Sequence, residues 1–375
     1  MLMDSFEVEN FRSLKHLKLE KLARVNLLVG KNNSGKTSAL EGIFLFTGAN
    51  IATWVDRIDD ERHLLPDDQG LAYLFYQFDA SQVITFKAHI QPSHQSTVSV
   101  PPYDFVVTIE ADESPKNQKQ LALPGLWSSE SIKDREQIGE SPDRLLFTAK
   151  STEIAKAPAS KLTYTMRERR LGRNRRREAS RALLTQSTYG HWLSTTVSFT
   201  ELHSRIEYLK VRKQDERLVN VMRQIDGRIM DISLGSNDTI YFDLGPRFPK
   251  LLPLNLMGEG VQRLLAIVSA VAHTPGAIVQ IDEIDNGLHY SALRILWKGV
   301  LQAAREYNVQ IVATTHSAEA LRHLTWVLDD EEYRDYRADV AAYTLIRAND
   351  DTVRSYRYDY EQLDFAMEHD IEVRN

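Results

Sequence analysis

The sequence of 375 residues contains no cysteine. This absence excludes disulfide bonds, thiolate metal sites and a cysteine nucleophile, and it is typical of proteins in a reducing compartment. Long apolar runs are also lacking, since none approaches the ~20 residues that a membrane helix needs. The opening residues, Met1–Ser5, do not resemble a signal peptide. We therefore expect a cytoplasmic protein that makes no membrane contact.

Neither sign of charge is in large excess, because the net charge is -6 with 26% charged residues. This balance does not mark the whole surface as a binder of nucleic acid or anionic membranes. One local patch differs: arginines crowd residues 167–181. Such a run could neutralise several DNA phosphates, each contact adding a salt-dependent term to affinity. Such runs more often form a solvated loop or pair with acidic groups of another subunit.

Apolar patterns divide the chain into three parts. Residues 1–50 begin with alternating, strand-like segments and lead into a glycine-rich loop. Residues 51–250 would form an inserted region, β-rich at first and then a helical arm from Leu202 to Ile232. Residues 251–375 alternate helices with buried strands, which predicts parallel strands joined by right-handed crossovers. The expected fold class is α/β, with a mixed β-sheet, flanking helices and the inserted β-rich and helical region.

The stretch GKNNSGKT follows the apolar run Val25–Val29 and precedes an apolar helix. It fits the pattern G-x-x-x-x-G-K-[ST] in the strand-to-helix context that this pattern requires. Its backbone N–H groups and the helix N-terminus would surround a β-phosphate, while Lys36 would reach the β- and γ-oxygens and Thr37 would ligate Mg²⁺. The predicted nucleotide-binding residues are Gly30, Asn32, Asn33, Ser34, Gly35, Lys36, Thr37 and Ser38.

A second apolar run, Ala277–Ile281, ends in two adjacent acids. Carboxylates at the tip of a buried strand are costly unless a metal or a partner meets them. In a nucleotide site, Asp282 would hold Mg²⁺, and Glu283 would orient and deprotonate the attacking water. A third buried run, Gln310–Thr314, would bring His316 to the same edge to stabilise a γ-phosphate. The predicted catalytic residues are Lys36, Glu283 and His316.

Another loop of small residues, NLMGEGVQR, opens the apolar helix near Val261. Because helix N-termini bind anions, Gly258, Glu259 and Gly260 could address a phosphate, although the loop at Lys36 already has its own. The alternative is a plain glycine turn with a glutamate in the first helical turn. Taken alone, this loop does not decide between the two.

Taken in order, GKNNSGKT, NLMGEGVQR, IVQIDEIDNGLH and IVATTHS resemble the ABC-type ATPase head of SMC-like proteins and of the OLD-like bacterial ATPases. The opening FEVENFRSLKHLKL resembles the N-terminal strand of that group. The resemblance implies a Mg-dependent ATPase that forms a homodimer, or a higher oligomer of dimers, around two ATP molecules. The Gly258–Gly260 loop of one subunit would then close over the γ-phosphate held at Lys36 of the other. The residues Asp285–His289 would lie in the dimer seam.

Two features depart from the pattern of that group. Leu256 or Met257 replaces the usual serine of the signature loop, so the contact in trans would depend on backbone N–H groups or on Asn255. The glutamine that normally follows the antiparallel lobe has two candidates, Gln77 and Gln82. Both glutamines remain candidates on the sequence alone.

The resemblance also implies a role in bacterial anti-phage defence, as sensor or regulator of a separately encoded effector, a nuclease or toxin. OLD proteins usually carry a Toprim nuclease domain, but the acidic run Asp329–Glu332 is expected to be a solvated loop and not a two-metal site. The alternative function is an SMC-like DNA-binding clamp, supported by the arginines of residues 167–181. A transporter subunit is disfavoured by the polar, strand-rich insertion.

Overall fold

The computed structural model describes residues 2–47, 71–91, 102–111, 144–151, 160–165, 190–193 and 197–374. The arginine run at residues 167–181, on which the predicted DNA contact depends, lies outside the described residues. Within the described ranges, no helix is long and apolar enough to cross a bilayer.

One large mixed sheet organises the described part of the chain, and its twelve strands run in the order β7-β6-β5-β4-β1-β2-β15-β14-β3-β13-β12-β8. A three-stranded sheet, β11-β10-β9, lies apart from it. The strands are β1 (Leu2–Phe11), β2 (Leu14–Leu19), β3 (Val25–Val29), β4 (Ile84–Gln91), β5 (Tyr103–Ala111), β6 (Arg144–Ser151), β7 (Ser160–Thr165), β8 (Gly190–Leu193), β9 (Asp231–Leu234), β10 (Ile240–Asp243), β11 (Leu252–Pro253), β12 (Ile278–Ile281), β13 (Gln310–Thr314), β14 (Val340–Arg347) and β15 (Val353–Tyr358).

The two halves of the large sheet differ in direction and in burial. Strands β7 to β2 pair antiparallel, and β4 alternates between buried and partly exposed residues because one face of this half meets water. Strands β14, β3, β13, β12 and β8 pair parallel, and β3, β12 and β13 are buried along their whole lengths. The expected α/β fold with a mixed sheet is therefore confirmed.

Helices cover both faces of the parallel half and form two hydrophobic cores. Helix α1 packs with Leu28 and Val312 on one face, while α4, α5 and α6 pack with Leu27 and Ile311 on the other. The helices are α1 (Lys36–Thr47), α2 (Phe199–Val211), α3 (Glu216–Ile225), α4 (Glu259–His273), α5 (Tyr290–Glu306), α6 (Ala318–Asp329) and α7 (Tyr360–Glu368). Since adjacent residues of β3 and β13 feed opposite cores, these strands are apolar throughout.

The structure differs from two local expectations in detail. The helical arm predicted from Leu202 to Ile232 is two short helices, α2 and α3, separated at Lys213, which has a left-handed φ of 58°. Both helices bury their apolar faces in the main core, as Leu209 and Met222 do, so they form no projecting arm. The acidic run at Asp329–Glu332 is exposed at three of its four residues, as expected, but it spans the end of α6 and the start of a 3-10 helix, and Asp330 pairs with Arg294 and Lys298.

The order of the parallel strands sets the place of the site. Strand β13 lies between β3 and β12, and all three run in the same direction. Their carboxyl ends therefore meet at one edge of the sheet, where open α/β folds bind ligands. The GKNNSGKT loop follows β3, the two acids Asp282 and Glu283 follow β12, and His316 follows β13.

Candidate nucleotide-binding site

The loop between β3 and α1 has a backbone that only glycine can adopt at two positions. Gly30 has a φ of 144°, and a Cβ there would lie 2.7 Å from the carbonyl oxygen of Leu345. Gly35 has a φ of 97°, and its Cβ would lie 2.6 Å from the Leu14 side chain. Both positions combine a conformation that side chains disfavour with a close approach. The glycines thus shape the loop into which α1 directs its N-terminus.

The Lys36 ammonium group folds back onto this loop. It donates hydrogen bonds to the carbonyl oxygens of Gly30, at 2.7 Å, and of Lys31, at 2.8 Å. Burial lowers the pKa of Lys36 from its ordinary value, while the nearby carboxylates of Asp282 and Glu283 act in the opposite direction. A partly desolvated ammonium attracts phosphate oxygens more strongly than one in water does. These oxygens would replace the two carbonyls as acceptors.

The acids after β12 are held by a threonine of the neighbouring strand. The Thr314 hydroxyl donates to Asp282 Oδ1, at 2.6 Å, and accepts from the Glu283 N–H group, at 2.8 Å. Glu283 has a left-handed φ of 47°, which is unusual for a residue other than glycine, asparagine or aspartate. Strained residues of this kind persist where their surroundings fix them, often at functional sites. Thr314 is one of the groups that fix this turn.

Arg263, near the start of α4, also holds the backbone at Asp282 and Glu283. It does so from the face of the sheet that α4 covers, opposite to α1. Its Nη2 atom donates to the carbonyl oxygens of Asp282, at 2.7 Å, and of Glu283, at 3.3 Å. The side chain is buried, and burial lowers the pKa of Arg263 to about 10, still well above neutrality. The guanidinium therefore remains charged and links the helix behind the Gly258 loop to both acids.

His316 follows β13 and lies beside the second acid. Its Nδ1 atom is 4.0 Å from Glu283 Oε1, and 61% of its side chain is exposed. The carbonyl oxygen of His316 accepts a hydrogen bond from Arg374 Nη1 at 2.8 Å. An exposed ring beside the acid can reach a bound ligand, while its backbone is tied to a distant segment.

These groups surround a cavity of about 560 Å³. The structure brings together most of the residues predicted from the motifs, and the following line the cavity: Asn32, Asn33, Gly35, Lys36, Thr37, Ser38, Asp282, Glu283 and His316. Gly30 and Ser34 belong to the same loop but do not line the cavity. Ser34 is buried, and the Gly30 carbonyl oxygen accepts a hydrogen bond from Lys36. The predicted phosphate-loop and acidic motifs thus face one space.

Gly258, Glu259 and Gly260 do not line this cavity. They form the start of α4, where a Cβ on Gly260 would lie 3.2 Å from the carbonyl oxygen of Gly287. A Cβ on Gly258 would meet no atom within 4 Å. This second loop therefore stands beside the Asp285–His289 turn and presents an open backbone.

The structure also distinguishes the two candidate glutamines. Gln77 lines the cavity, has a left-handed φ of 53° and donates from its amide to the Tyr76 hydroxyl. Gln82 instead donates to the Asp79 carboxylate and is not among the lining residues. Gln77 is therefore the glutamine placed to reach a bound ligand.

Several lining or supporting groups were not predicted from the sequence. Arg12 and Ser13, in the turn between β1 and β2, line the cavity, and the Ser13 hydroxyl is 2.9 Å from that of Ser38. Thr314 and Arg263 hold the acids from two different elements. In the sequence, this turn is marked by the polar pair Arg12 and Ser13 between two alternating segments. Only the folded sheet shows that the turn lies against the loop that begins α1.

A Helicobacter pylori protein described as an ATP/GTP phosphatase is 24% identical over 392 residues, covering 98% of this chain and 99% of that protein. The DNA replication and repair protein RecF of Nitrosococcus oceani is 31% identical over 132 residues, 34% of this chain and 32% of RecF.

Solved structures with a similar outline include an SMC head bound to the C-winged helix domain of ScpA, with a TM-score of 0.48, 12% identity and coverage of 96% of this chain and 99% of that one. The model of the AAA ATPase domain matches residues 1–320. Since this match spans most of the chain, the protein belongs to the AAA ATPase domain family and is a P-loop ATP hydrolase.

Proposed function

We propose that ATP binds in the cavity at Lys36 and is hydrolysed there with Mg²⁺. The observation that carries this proposal is the position of Asp282 and Glu283 across one cavity from Lys36 and Thr37. The Thr37 hydroxyl and the Asp282 carboxylate supply the hard oxygen ligands that Mg²⁺ prefers. When bound, Mg²⁺ would neutralise charge on the β- and γ-phosphates.

In this proposal, Glu283 is the general base. It accepts a proton from a water molecule whose oxygen attacks the γ-phosphorus, while the bond to the β-γ bridging oxygen breaks and ADP leaves. Lys36 stabilises negative charge on the transferring group, and the exposed ring of His316 donates to a γ-oxygen. Thr314 and Arg263 keep the Glu283 turn in place, which supports the geometry of the attack.

We further propose that the Gly258–Gly260 loop acts in trans. A helix N-terminus with an open backbone binds an anion, and within its own subunit this loop is separate from the cavity. In a symmetric dimer each loop would meet the γ-phosphate held by the partner, so two ATP molecules would lie in the interface. The test is the mass of Glu283→Gln protein by light scattering: a dimer that needs ATP supports the proposal, and a monomer at saturating ATP contradicts it.

The physiological role that we propose is regulation of a separately encoded effector, a nuclease or toxin, in bacterial anti-phage defence. Its support is the resemblance of the motif order to small OLD-like ATPases. ATP-driven dimerisation would supply the two states that such a switch needs. Mass spectrometry of proteins that co-purify with tagged Glu283→Gln protein in Mg-ATP, after nuclease treatment, tests it. A stoichiometric nuclease or toxin supports this role, and the absence of any stoichiometric protein partner contradicts it.

A specific observation favours a second candidate, an SMC-like DNA clamp. The RecF relative is described as a DNA replication and repair protein, and residues 167–181 are rich in arginine. Replacing Arg175, Arg176 and Arg177 by glutamate should abolish DNA binding and flatten its dependence on salt. Unchanged DNA affinity in that variant would remove this candidate.

A further inference from the structure

The segment after α7 contacts the loop that follows β13, which carries His316. Val373 is buried in the main core, and its carbonyl oxygen accepts a hydrogen bond from the Thr344 hydroxyl on β14. This anchor places the residues on either side of Val373, Glu372 and Arg374, at the surface beside the loop that follows β13. The segment is therefore anchored to the sheet and can hold the backbone of the neighbouring loop.

Arg374 joins two groups. Its Nε atom donates to Glu372 Oε1 at 2.6 Å, and its Nη2 atom donates to the other oxygen of that carboxylate. The remaining nitrogen, Nη1, donates to the carbonyl oxygen of His316 at 2.8 Å. A planar guanidinium can bind a carboxylate through two nitrogens and still direct the third at a separate acceptor. The Glu372 carboxylate thus sets the direction in which Arg374 holds His316.

Two cations act on the Glu372 carboxylate. The Arg374 guanidinium lowers the pKa of Glu372 to about 2, and the Lys31 ammonium contributes in the same direction. Lys31 is also the residue whose carbonyl oxygen accepts a hydrogen bond from Lys36. Glu372 therefore lies near the loop that would hold the phosphates, while Arg374 contacts the backbone of His316.

We infer that Glu372 and Arg374 are positioning residues that hold the His316 backbone so that its ring meets the γ-phosphate. The inference rests on the proposed role of His316 in hydrolysis. Arg374 touches no reacting atom in this account and acts only through His316. Losing its hydrogen bond releases the loop after β13, so the ring spends less time in the reactive geometry, while the groups that bind the nucleotide are unchanged.

The experiment is a double-mutant cycle between Arg374→Gln and His316→Ala, with kcat and the Kd for ATP measured separately on the full chain. Arg374→Gln should lower kcat about tenfold and leave the Kd nearly unchanged. In the His316→Ala background, Arg374→Gln should have no further effect on kcat, because the two residues act as one unit. Arg374→Lys should restore kcat only in part, since an ammonium cannot hold both acceptors with the same geometry.

Arg322→Gln is the matched control. Arg322 pairs with Asp370, so it also ties α6 to the segment after α7, but through an ion pair that does not involve His316. This variant should lose a little thermal stability and keep its kcat. Glu372→Gln is a second test, milder for folding, and should lower kcat in the same direction as Arg374→Gln.

The outcomes separate this inference from the proposed function. If His316→Ala lowers kcat but Arg374→Gln does not, Arg374 has no positioning role, while the catalytic role of His316 stands. If His316→Ala keeps a normal kcat, the role of His316 fails and this inference fails with it. If Arg374→Gln and Arg322→Gln lower kcat equally, the segment is only a structural support and the inference is overturned.

Discussion

Helices α1 and α4 both begin at glycine-containing loops, but their N-termini lie in different surroundings. The first opens into a cavity walled by Lys36, Asp282 and Glu283. The second begins behind Gly258, where no side chain caps the helix and a Cβ would meet nothing within 4 Å. Beside it, Leu256 leaves 69% of its surface exposed. One loop has a complete set of phosphate-binding groups, whereas the other has an open backbone.

This difference favours separate roles for the two loops in nucleotide binding. A helix dipole together with a lysine and a nearby acid can hold a triphosphate and its metal ion, so we propose that the α1 loop binds ATP without help from a second subunit. The α4 loop has backbone donors but does not line that cavity, which is why we propose that it closes a site that another subunit has filled. Through Arg263, it is also linked to the acids of its own subunit. In the proposed dimer, contact of this loop with the partner's nucleotide would therefore be transmitted through Arg263 to the acids of its own subunit.

The largest expected effect is at the α1 loop. Lys36→Ala should weaken ATP binding by about 100-fold, or about 2.8 kcal/mol, because it removes the cation that meets the β- and γ-phosphates. Titration with a fluorescent ATP analogue measures this change. Lys15→Ala is the control, because Lys15 donates to the Asp350 carbonyl and does not line the cavity. Equal affinities for the wild type and Lys36→Ala would contradict the assignment of this loop.

Glu283→Gln should separate binding from chemistry. The amide keeps the size of the side chain but cannot accept a proton from water, so kcat should fall by about 100-fold or more while ATP binds as in the wild type. Phosphate release in steady state and an equilibrium titration give the two numbers. Normal turnover in this variant would show that another group is the base.

Gly258→Asp tests the α4 loop without harming the fold. Aspartate is a favourable N-cap residue, so thermal stability should be unchanged or slightly raised. Its carboxylate would compete with the γ-phosphate of the partner subunit for the same N–H groups and would repel it, so ATP-dependent dimerisation and turnover should fall about tenfold or more. Gly227→Asp is the matched control, since Gly227 also has no neighbour within 4 Å. Full dimerisation of Gly258→Asp would leave the trans contact without support.

The smallest effect is the dependence of ATP affinity on alkaline pH. Burial lowers the pKa of Lys36, so its protonated form is lost, as pH rises, earlier than that of an ordinary lysine. ATP affinity should therefore decline at a lower pH than exposed lysines would give. Lys36→Arg should bind less tightly at neutral pH but lose this decline, because arginine stays charged. A decline that persists in Lys36→Arg would assign it to another group.

The sequence predicted the parts of the site that are local in the chain. The glycine loop is defined by the strand before it and the helix after it, and the acids are marked by the apolar run that precedes them. The strand order of the folded sheet was needed to bring the loop and the acids together. The separation of Lys36 and Asp282 along the chain does not indicate that β13 lies between β3 and β12. The roles of these residues remain predictions until the variants are measured.

Supporting contacts were not predicted because they join distant residues of ordinary type. Arg374 and His316 are 58 residues apart, and Arg263 meets Asp282 only because α4 packs beneath β12. The break at Lys213 was missed for a different reason. Both flanking segments have the same apolar period, and a single left-handed residue between them leaves that period almost undisturbed.

The most direct test of the difference between the two loops is to mix two variants that are each impaired, Lys36→Ala and Gly258→Asp. In a mixed dimer, one site combines the intact α1 loop of the Gly258→Asp subunit with the intact α4 loop of the Lys36→Ala subunit. The other site combines both defects and holds no nucleotide. If the sites are shared between subunits, equal mixing should recover about a quarter of wild-type ATPase activity. Activity that stays at the level of the separate variants would contradict a site completed in trans.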